Sequence, residues 1–364
     1  MKVLGLVCEF NPFHNGHRYL IEKAKQDNFC DGVIAVMSGN FTQRGTPAIT
    51  DKYTRAEIAV LNGVDLVFEL PAAFVLHSAK FFAQKGIETL NETGIVNVLA
   101  FGSEAGDLTL LEKVAEDTTP FSCADPSVSL ARAIAESAEN KEIYTPNNIL
   151  GIEYLRALKK TKSKITPYTC KRVGVCHDGQ SPSDGFASAS FLRDALYRGR
   201  SISEFAPSFN VPPANLAAWE SLVLYRLRTI SAEELASTPS VAEGLHNRII
   251  SAANESASYE ELISNIKSKR YTQSHIERIL ACSVLGIKAN LLQEKPYLRV
   301  LAANKVGTEL LRAIKPHATV ITKTADAPYH PVLEAEHRAE NVYALLCENK
   351  KGNTSYHHSP KIIQ

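Results

Sequence analysis

Val3-Leu4-Gly5-Leu6-Val7-Cys8-Glu9-Phe10-Asn11-Pro12-Phe13-His14-Asn15-Gly16-His17 is the stretch that decides the fold class. The unbroken apolar run Val3 to Val7 is what a strand buried on both faces requires. It stops in a polar, proline-bearing loop, and a helical pattern begins directly behind. His14 and His17, three residues apart, share one face of the first helical turn. Gly16 between them has no side chain, so a phosphate approaches the backbone closely, and a Cβ there is expected to project into the anion's space. A helix N-terminus offers unpaired N–H groups and the positive end of a dipole. Two imidazoles beside it stabilise charge growing on an α-phosphate as pyrophosphate leaves. A bare His-x-x-His is equally well a polar turn carrying surface histidines. Its position straight after the first strand is what marks a phosphate site.

Working outward, the same alternation recurs. Val33 to Met37, Val64 to Leu70 and Val96 to Phe101 read as further buried strands. Asp51 to Asn62 reads as a helix stopped by Gly63, and Ser78 to Thr93 as a helix with Ser78 as N-cap and Gly94 at its end. Strands alternating with helices predict an α/β fold with a Rossmann-like, doubly wound parallel sheet. Ligands of such sheets sit beyond the carboxyl ends of the strands, so the loops that matter are Cys8 to His17, Ser38 to Gly45, Leu70 to His77 and Gly102 to Asp107. After about residue 200 helical periodicity dominates, as in Ala217 to Leu227 and Tyr259 to Ile266. Pro207, Pro212 and Pro213 mark the junction. The reading is a catalytic α/β domain over residues 1–200, then a mainly helical region over 201–364.

Composition narrows the class. The chain's 364 residues are 45% hydrophobic and 22% charged, an ordinary balance for a folded core. Lys+Arg 40 against Asp+Glu 39 gives a net charge of +1, so total charge does not point to nucleic acid, and any basic surface must be local. The seven cysteines are widely spaced and form no Cys-x-x-Cys, which predicts reduced thiols and a cytoplasmic protein. Cys170, Cys176 and His177 match no usual zinc spacing. No signal peptide and no bilayer-spanning apolar stretch is visible.

Two more clusters carry chemistry. Ser188-Ala189-Ser190-Phe191-Leu192-Arg193 opens the amphipathic run Phe191 to Tyr197, where Ser188, Ser190 and Arg193 make a second anion clamp. Lys267-Ser268-Lys269-Arg270-Tyr271-Thr272-Gln273-Ser274-His275 interleaves cations with an aromatic. That arrangement of Lys267, Lys269, Arg270 and Tyr271 suits an RNA backbone and a stacked base.

His-x-Gly-His after the first strand, with Ser-x-Ser-x-x-Arg at a later helix start, resembles the nucleotidyltransferase superfamily that includes adenylyl- and cytidylyltransferases. The likeness is closer than that. Gly5 to His17, Met37-Ser38-Gly39-Asn40-Phe41-Thr42-Gln43-Arg44-Gly45, Phe101-Gly102-Ser103-Glu104 and Pro146-Asn147-Asn148-Ile149-Leu150-Gly151 resemble the bacterial tRNA(Met) cytidine acetate ligase family. Lys269-Arg270-Tyr271-Thr272 and Pro296-Tyr297-Leu298-Arg299-Val300-Leu301 carry the likeness into the C-terminal half. Cys8, Thr46 and the Ser-Ala-Ser clamp depart modestly from the family pattern, and none of these removes a charge or an imidazole.

The resemblance implies ATP-dependent activation of acetate to acetyl-adenylate and acetylation of the wobble cytidine of elongator tRNA(Met). It implies an ATP site made by Val7, Cys8, Glu9, Phe10, Asn11, Pro12, Phe13, His14, Asn15, Gly16, His17, Arg18, Tyr19 and Leu20, with Gly102, Asn147 or Asn148, and Arg172 with Val173. His14 and His17 would be catalytic, Arg172 and Arg193 would hold phosphates, and Mg²⁺ would accompany ATP, with no dedicated protein metal site and no evident general base. A nucleotidyltransferase acting on a small phosphorylated metabolite is the alternative, disfavoured by the long helical half. A non-enzymatic RNA-binding module is disfavoured by the intact His14, Gly16 and His17.

Overall fold

The four buried apolar runs become β1 (Val3–Cys8), β2 (Gly32–Ser38), β3 (Leu66–Leu70) and β4 (Val98–Ser103). The computed structural model describes residues 1–116, 143–172, 185–207, 211–242, 244–323, 327–347 and 360–363. Every residue of β2 and β3 is buried, as central strands of a covered sheet must be. Behind β1 runs α1 (Asn15–Asp27), and α2 (Lys52–Leu61) and α4 (Ala79–Glu92) flank β3, with the short α3 (Ala72–Val75) between β3 and α4. The expected caps are in place. The Asp51 carboxylate accepts from the N–H groups of Tyr53 and Thr54, and the Ser78 hydroxyl from that of Phe81. Gly63 and Gly94 follow the two helix ends at φ 106° and 69°, a backbone that a Cβ disfavours.

Strand order is β5-β4-β1-β2-β3-β6-β7, where β5 is Thr166–Lys171, β6 is Leu298–Ala303 and β7 is Val320–Ile321. β1 to β5 are mutually parallel. The chain builds outward from β1 to β3, then crosses back to lay β4 on the other side of β1. The order therefore reverses between β1 and β4, which opens a crevice at their carboxyl ends. Beside it stand α6 (Pro146–Lys160) and α7 (Ala189–Tyr197), with α5 (Leu108–Glu116) packed against α6.

The half after residue 200 is mainly helical, with α8 (Leu216–Thr229), α9 (Ala232–Ala236), α10 (Leu245–Glu255), α11 (Tyr259–Ile266) and α12 (Gln273–Leu285). It is not only helical, and it does not stand apart. β6 returns to the sheet and pairs antiparallel with β3, followed by α13 (Lys305–Ile314) and α14 (Pro331–Ala344), while β8 (Lys361–Ile362) pairs with β6. The parallel sheet thus acquires an antiparallel strand from the C-terminal half.

A buried ion cluster explains why β6 escapes a hydrophobicity reading. Arg299, only 2% exposed, donates to Glu69 at 3.0 Å and to the Tyr53 hydroxyl at 2.8 Å, and lies 2.7 Å from Glu340. Lys52 pairs with Glu69, Glu336 and Glu340 in the same pocket. Such a network holds only while every charge keeps its partner, so it joins β3, α2, β6 and α14 into one register. Among the described residues Glu69, Glu336 and Glu340 form a carboxylate group close enough for a metal, but the Lys52 ammonium already occupies that role. No helix among the described residues is long and apolar enough to cross a membrane.

Candidate active site at the carboxyl ends of the first and fourth strands

A cavity of about 500 Å³ opens where the strand order reverses. One wall is the loop after β1. Phe10 there adopts φ 47°, unusual for an aromatic residue, and its ring is buried against Phe13 at 4.9 Å and His17 at 5.0 Å. That packing turns the chain so that α1 starts facing the cavity. His14 is the N-cap, and its carbonyl accepts from the N–H groups of His17 and Arg18.

The two imidazoles are stacked, with ring centroids 3.7 Å apart and planes 19° from parallel. The His14 N–H donates to Nδ1 of His17 at 3.2 Å, so in neutral His17 the proton sits on Nε2. Nδ1 of His14 is buried and makes no well-formed hydrogen bond, although the His17 N–H at the helix start lies toward the ring, so the atom is open to a ligand. Burial, then the Arg172 guanidinium, holds His14 down to about 3. Burial and the neighbouring His14 push His17 well below the ordinary imidazole range. Both rings are therefore neutral hydrogen-bonding groups in this state, and an incoming polyphosphate would raise them.

Gly16 has a packing duty beside the one its spacing implies. A Cβ there would lie 3.0 Å from Cε1 and 3.1 Å from Nδ1 of the His14 ring. The missing side chain makes room for the His14 ring.

Cations converge on the cavity. Arg44, Lys171, Arg172 and Arg193 line it, against Glu9 as the lone carboxylate among the described lining residues. Arg193 donates to the Asn11 carbonyl at 2.8 Å and to Ser190 Oγ at 3.2 Å, which ties α7 to the β1 loop. Ser188 caps α7 by accepting from the Phe191 N–H. Arg55, fully buried, donates to the carbonyls of Glu9, Ser38, Gly39 and Thr50 and so fixes the ends of β1 and β2 relative to α2.

Of the sequence-predicted ATP residues, Val7, Cys8, Glu9, Phe10, Asn11, His14, Gly16, His17, Tyr19, Leu20, Gly102, Asn147, Arg172, Ser188, Ser190 and Arg193 line this cavity. The others of the β1 run do not. Arg18 pairs with Asn62 on the far side of α1. Asn15 donates to the carbonyls of Gly185 and Glu204 and fastens the segments on either side of α7. Phe13 is core, and Pro12 does not reach the cavity.

The twin asparagines separate by geometry. Asn147 faces the cavity and donates to Glu104, whereas Asn148 is 1% exposed and accepts from the Ala105 N–H. Val173 lies outside the described residues, as do Cys123, Cys176 and His177. The described cysteines are all free thiols.

Thr42, Gln43, Arg44 and Thr46 also line the cavity, from the loop after β2 that the strand-end rule marks. Lys171 and Tyr154 lie there too, and nothing in the local sequence signals them. β5 is a polar edge strand, and Tyr154 sits mid-helix on α6.

The basic cluster stands nearby. Lys267, Lys269 and Arg270 are exposed, and Arg270 lies over the Tyr271 ring at 5.6 Å. Tyr271 stacks on His275 with centroids 5.5 Å apart. Arg278, one helical turn beyond His275 on α12, donates to the Gln43 carbonyl at 3.3 Å, and the backbone at Glu277 and Arg278 packs against Gly45. The helix that follows the cluster therefore touches the cavity's own loop. Arg299 is not part of this surface, being buried in the ion cluster.

The sheet order and the histidine-bearing helix start define a nucleotidyltransferase of the HIGH class, and the model of the HIGH Nucleotidyl Transferase family matches residues 1–358. The tRNA(Met) cytidine acetate ligase of Caldicellulosiruptor saccharolyticus is 40% identical over 95% of this chain and 94% of that protein. That of Clostridium botulinum strain Okra is 35% identical over 100% and 99%. The crystal structure of Thermotoga maritima TmcAL bound with alpha-thio ATP superposes with a TM-score of 0.89 over 100% of both chains, at 28% identity. The chain belongs to the tRNA(Met) cytidine acetate ligase family.

Proposed function

We propose that this protein activates acetate with ATP and transfers the acetyl group to the wobble cytidine of elongator tRNA(Met), giving N4-acetylcytidine. The observation that carries the reading is the stacked His14–His17 pair at the start of α1, with Nδ1 of His14 open to a ligand in a cation-lined cavity. ATP lies across the crevice between β1 and β4 with its α-phosphate against the imidazoles. Acetate attacks that phosphorus in line, pyrophosphate leaves, and acetyl-adenylate remains. His14 and Nε2–H of His17 hydrogen-bond the oxygens on which charge grows, while Arg172 and Arg193 hold the phosphates. Asn147, not Asn148, completes the nucleotide wall. Mg²⁺ bound with ATP would neutralise phosphate charge, and Glu9, the single carboxylate among the described lining residues, is the one side chain there that could help to hold it.

The division of labour follows the map. The first 200 residues hold the activation chemistry, and Lys267, Lys269, Arg270 and Tyr271 in the C-terminal half hold the tRNA. The contact of α12 with the loop after β2 sets the two at a fixed separation. Relatives bearing the ligase name and a neighbour bound to an ATP analogue support this reading. Incubation with labelled acetate, ATP and total tRNA, followed by nucleoside analysis, tests it. Label in acetylcytidine is the expected result. Nucleotide transfer to a phosphorylated metabolite with unlabelled tRNA would replace the ligase by the alternative reading.

A further inference from the structure

The second half of that reaction has a proton to dispose of. An exocyclic cytosine amine is barely basic, and as it attacks an acyl carbon its nitrogen becomes acidic, so a base at the site accelerates the step. The histidines are unsuited. Each is engaged as a hydrogen-bond donor to the phosphate oxygens, which leaves neither free to take the amine proton.

Glu9 stands where a base is needed. It is the residue immediately after β1, lines the cavity, and is the lone carboxylate among the described residues that do. Its Oε1 accepts from the Gln43 N–H at 2.6 Å, which aims the side chain along the wall shared by the β1 loop and the loop after β2. That same β2 loop is held by Arg278 of α12, the helix that begins just after the basic cluster, so Glu9 lies on the side from which a tRNA base arrives. Burial, outweighing the Gln43 hydrogen bond and the Arg193, Arg55 and Arg44 guanidinium groups, raises its carboxyl above the usual range.

Resting on the acetate-ligase reading, we propose that Glu9 is the general base of acetyl transfer. The N4 nitrogen forms its bond to the acetyl carbon, and the bond from that carbon to the AMP phosphate oxygen breaks. AMP leaves with the electron pair, and the amine proton passes to the Glu9 carboxylate.

The test separates the two half-reactions. Enzyme loaded with acetate and ATP is mixed with tRNA, and acetylcytidine formation is followed in a single turnover. Acetate-dependent ATP–pyrophosphate exchange is measured alongside. Glu9→Gln, isosteric and checked for folding by thermal melting, should slow transfer by about a hundredfold or more, the usual worth of a positioned base. Glu9 also lines the ATP cavity, so exchange should fall too, but by at least about tenfold less than transfer, and the rise of the transfer rate with pH expected of the wild type should vanish. Glu9→Asp should recover part of the transfer rate. If exchange fell as far as transfer, or if Glu9→Gln kept the wild-type pH limb, Glu9 would be a positioning or phosphate-site residue and the assignment would be overturned. A wild type unable to support exchange would remove the ligase reading itself, and this assignment with it.

Discussion

Replacing Gly16 by alanine puts one methyl group where the His14 ring lies. The added Cβ would sit 3.0 Å from Cε1 and 3.1 Å from Nδ1, so the ring must give by a few tenths of an ångström. The ring is not free to give. It is stacked at 3.7 Å on His17, which is itself wedged against Phe10 and Phe13. Misplacing a catalytic group by about 1 Å costs on the order of a hundredfold, so a few tenths should cost roughly tenfold in acetate-dependent ATP–pyrophosphate exchange. Valine, with two further methyl groups beside the ring, should cost about a hundredfold, as much as His14→Ala itself. Stability should fall as well, because a methyl group pressed on a ring that cannot move outweighs the up to about 1 kcal/mol that alanine gains at a helical glycine. The decisive assay is a double-variant cycle. If Gly16 acts through His14, adding Gly16→Ala to His14→Ala should cost nothing further. An undiminished tenfold loss in the His14→Ala background would show that the methyl group obstructs the phosphate directly, and the reasoning from the ring contact would be wrong.

Asn147→Ala should raise KM for ATP with little change in melting temperature. Asn148→Ala should cost about 1 kcal/mol of stability, because it removes the acceptor of the part-buried Ala105 N–H; equal effects of the two on KM would contradict the geometry. Lys269→Ala with Arg270→Ala should weaken tRNA binding and lower its salt slope by about 1.4–1.8, while exchange persists, and a folded double variant that lost both activities together would break the two-function map. Burial, then the Glu69 carboxylate, raises the Glu336 carboxyl to about 8, against an ordinary value near 4.5 when unfolded. The folded state therefore binds the extra proton, and this group's stabilisation, complete below about 4.5, is lost as pH climbs to about 8. Melting Glu336→Gln beside the wild type across that window should show the variant gaining relative stability as pH rises, and parallel curves would refute the coupling.

The sequence by itself determined the sheet's parallel core and the strand-end loops around which the cavity opens. Val3 to Val7, Val33 to Met37 and their counterparts announce themselves because a strand covered on both faces must be continuously apolar. The histidine spacing shows because a single helical turn is a local object. His14, Gly16 and Arg193 were legible for that reason, each standing at the start of an element that its own neighbours define. β6 was not. Arg299 interrupts its apolar run, and that charge is tolerable only because Glu69 and Glu340, 230 and 41 residues away in the chain, surround it in the folded core. Tyr154 and Lys171 join the cavity through long-range packing that leaves no periodicity behind. The choice between Asn147 and Asn148 needed the direction of one helical turn relative to Glu104 and Ala105. That the His14 ring lies over Gly16 likewise follows only from the fold. Local propensity writes elements and termini into the sequence. Which buried charge meets which, and which of two neighbours faces the cavity, is settled only when segments distant in the chain close on each other.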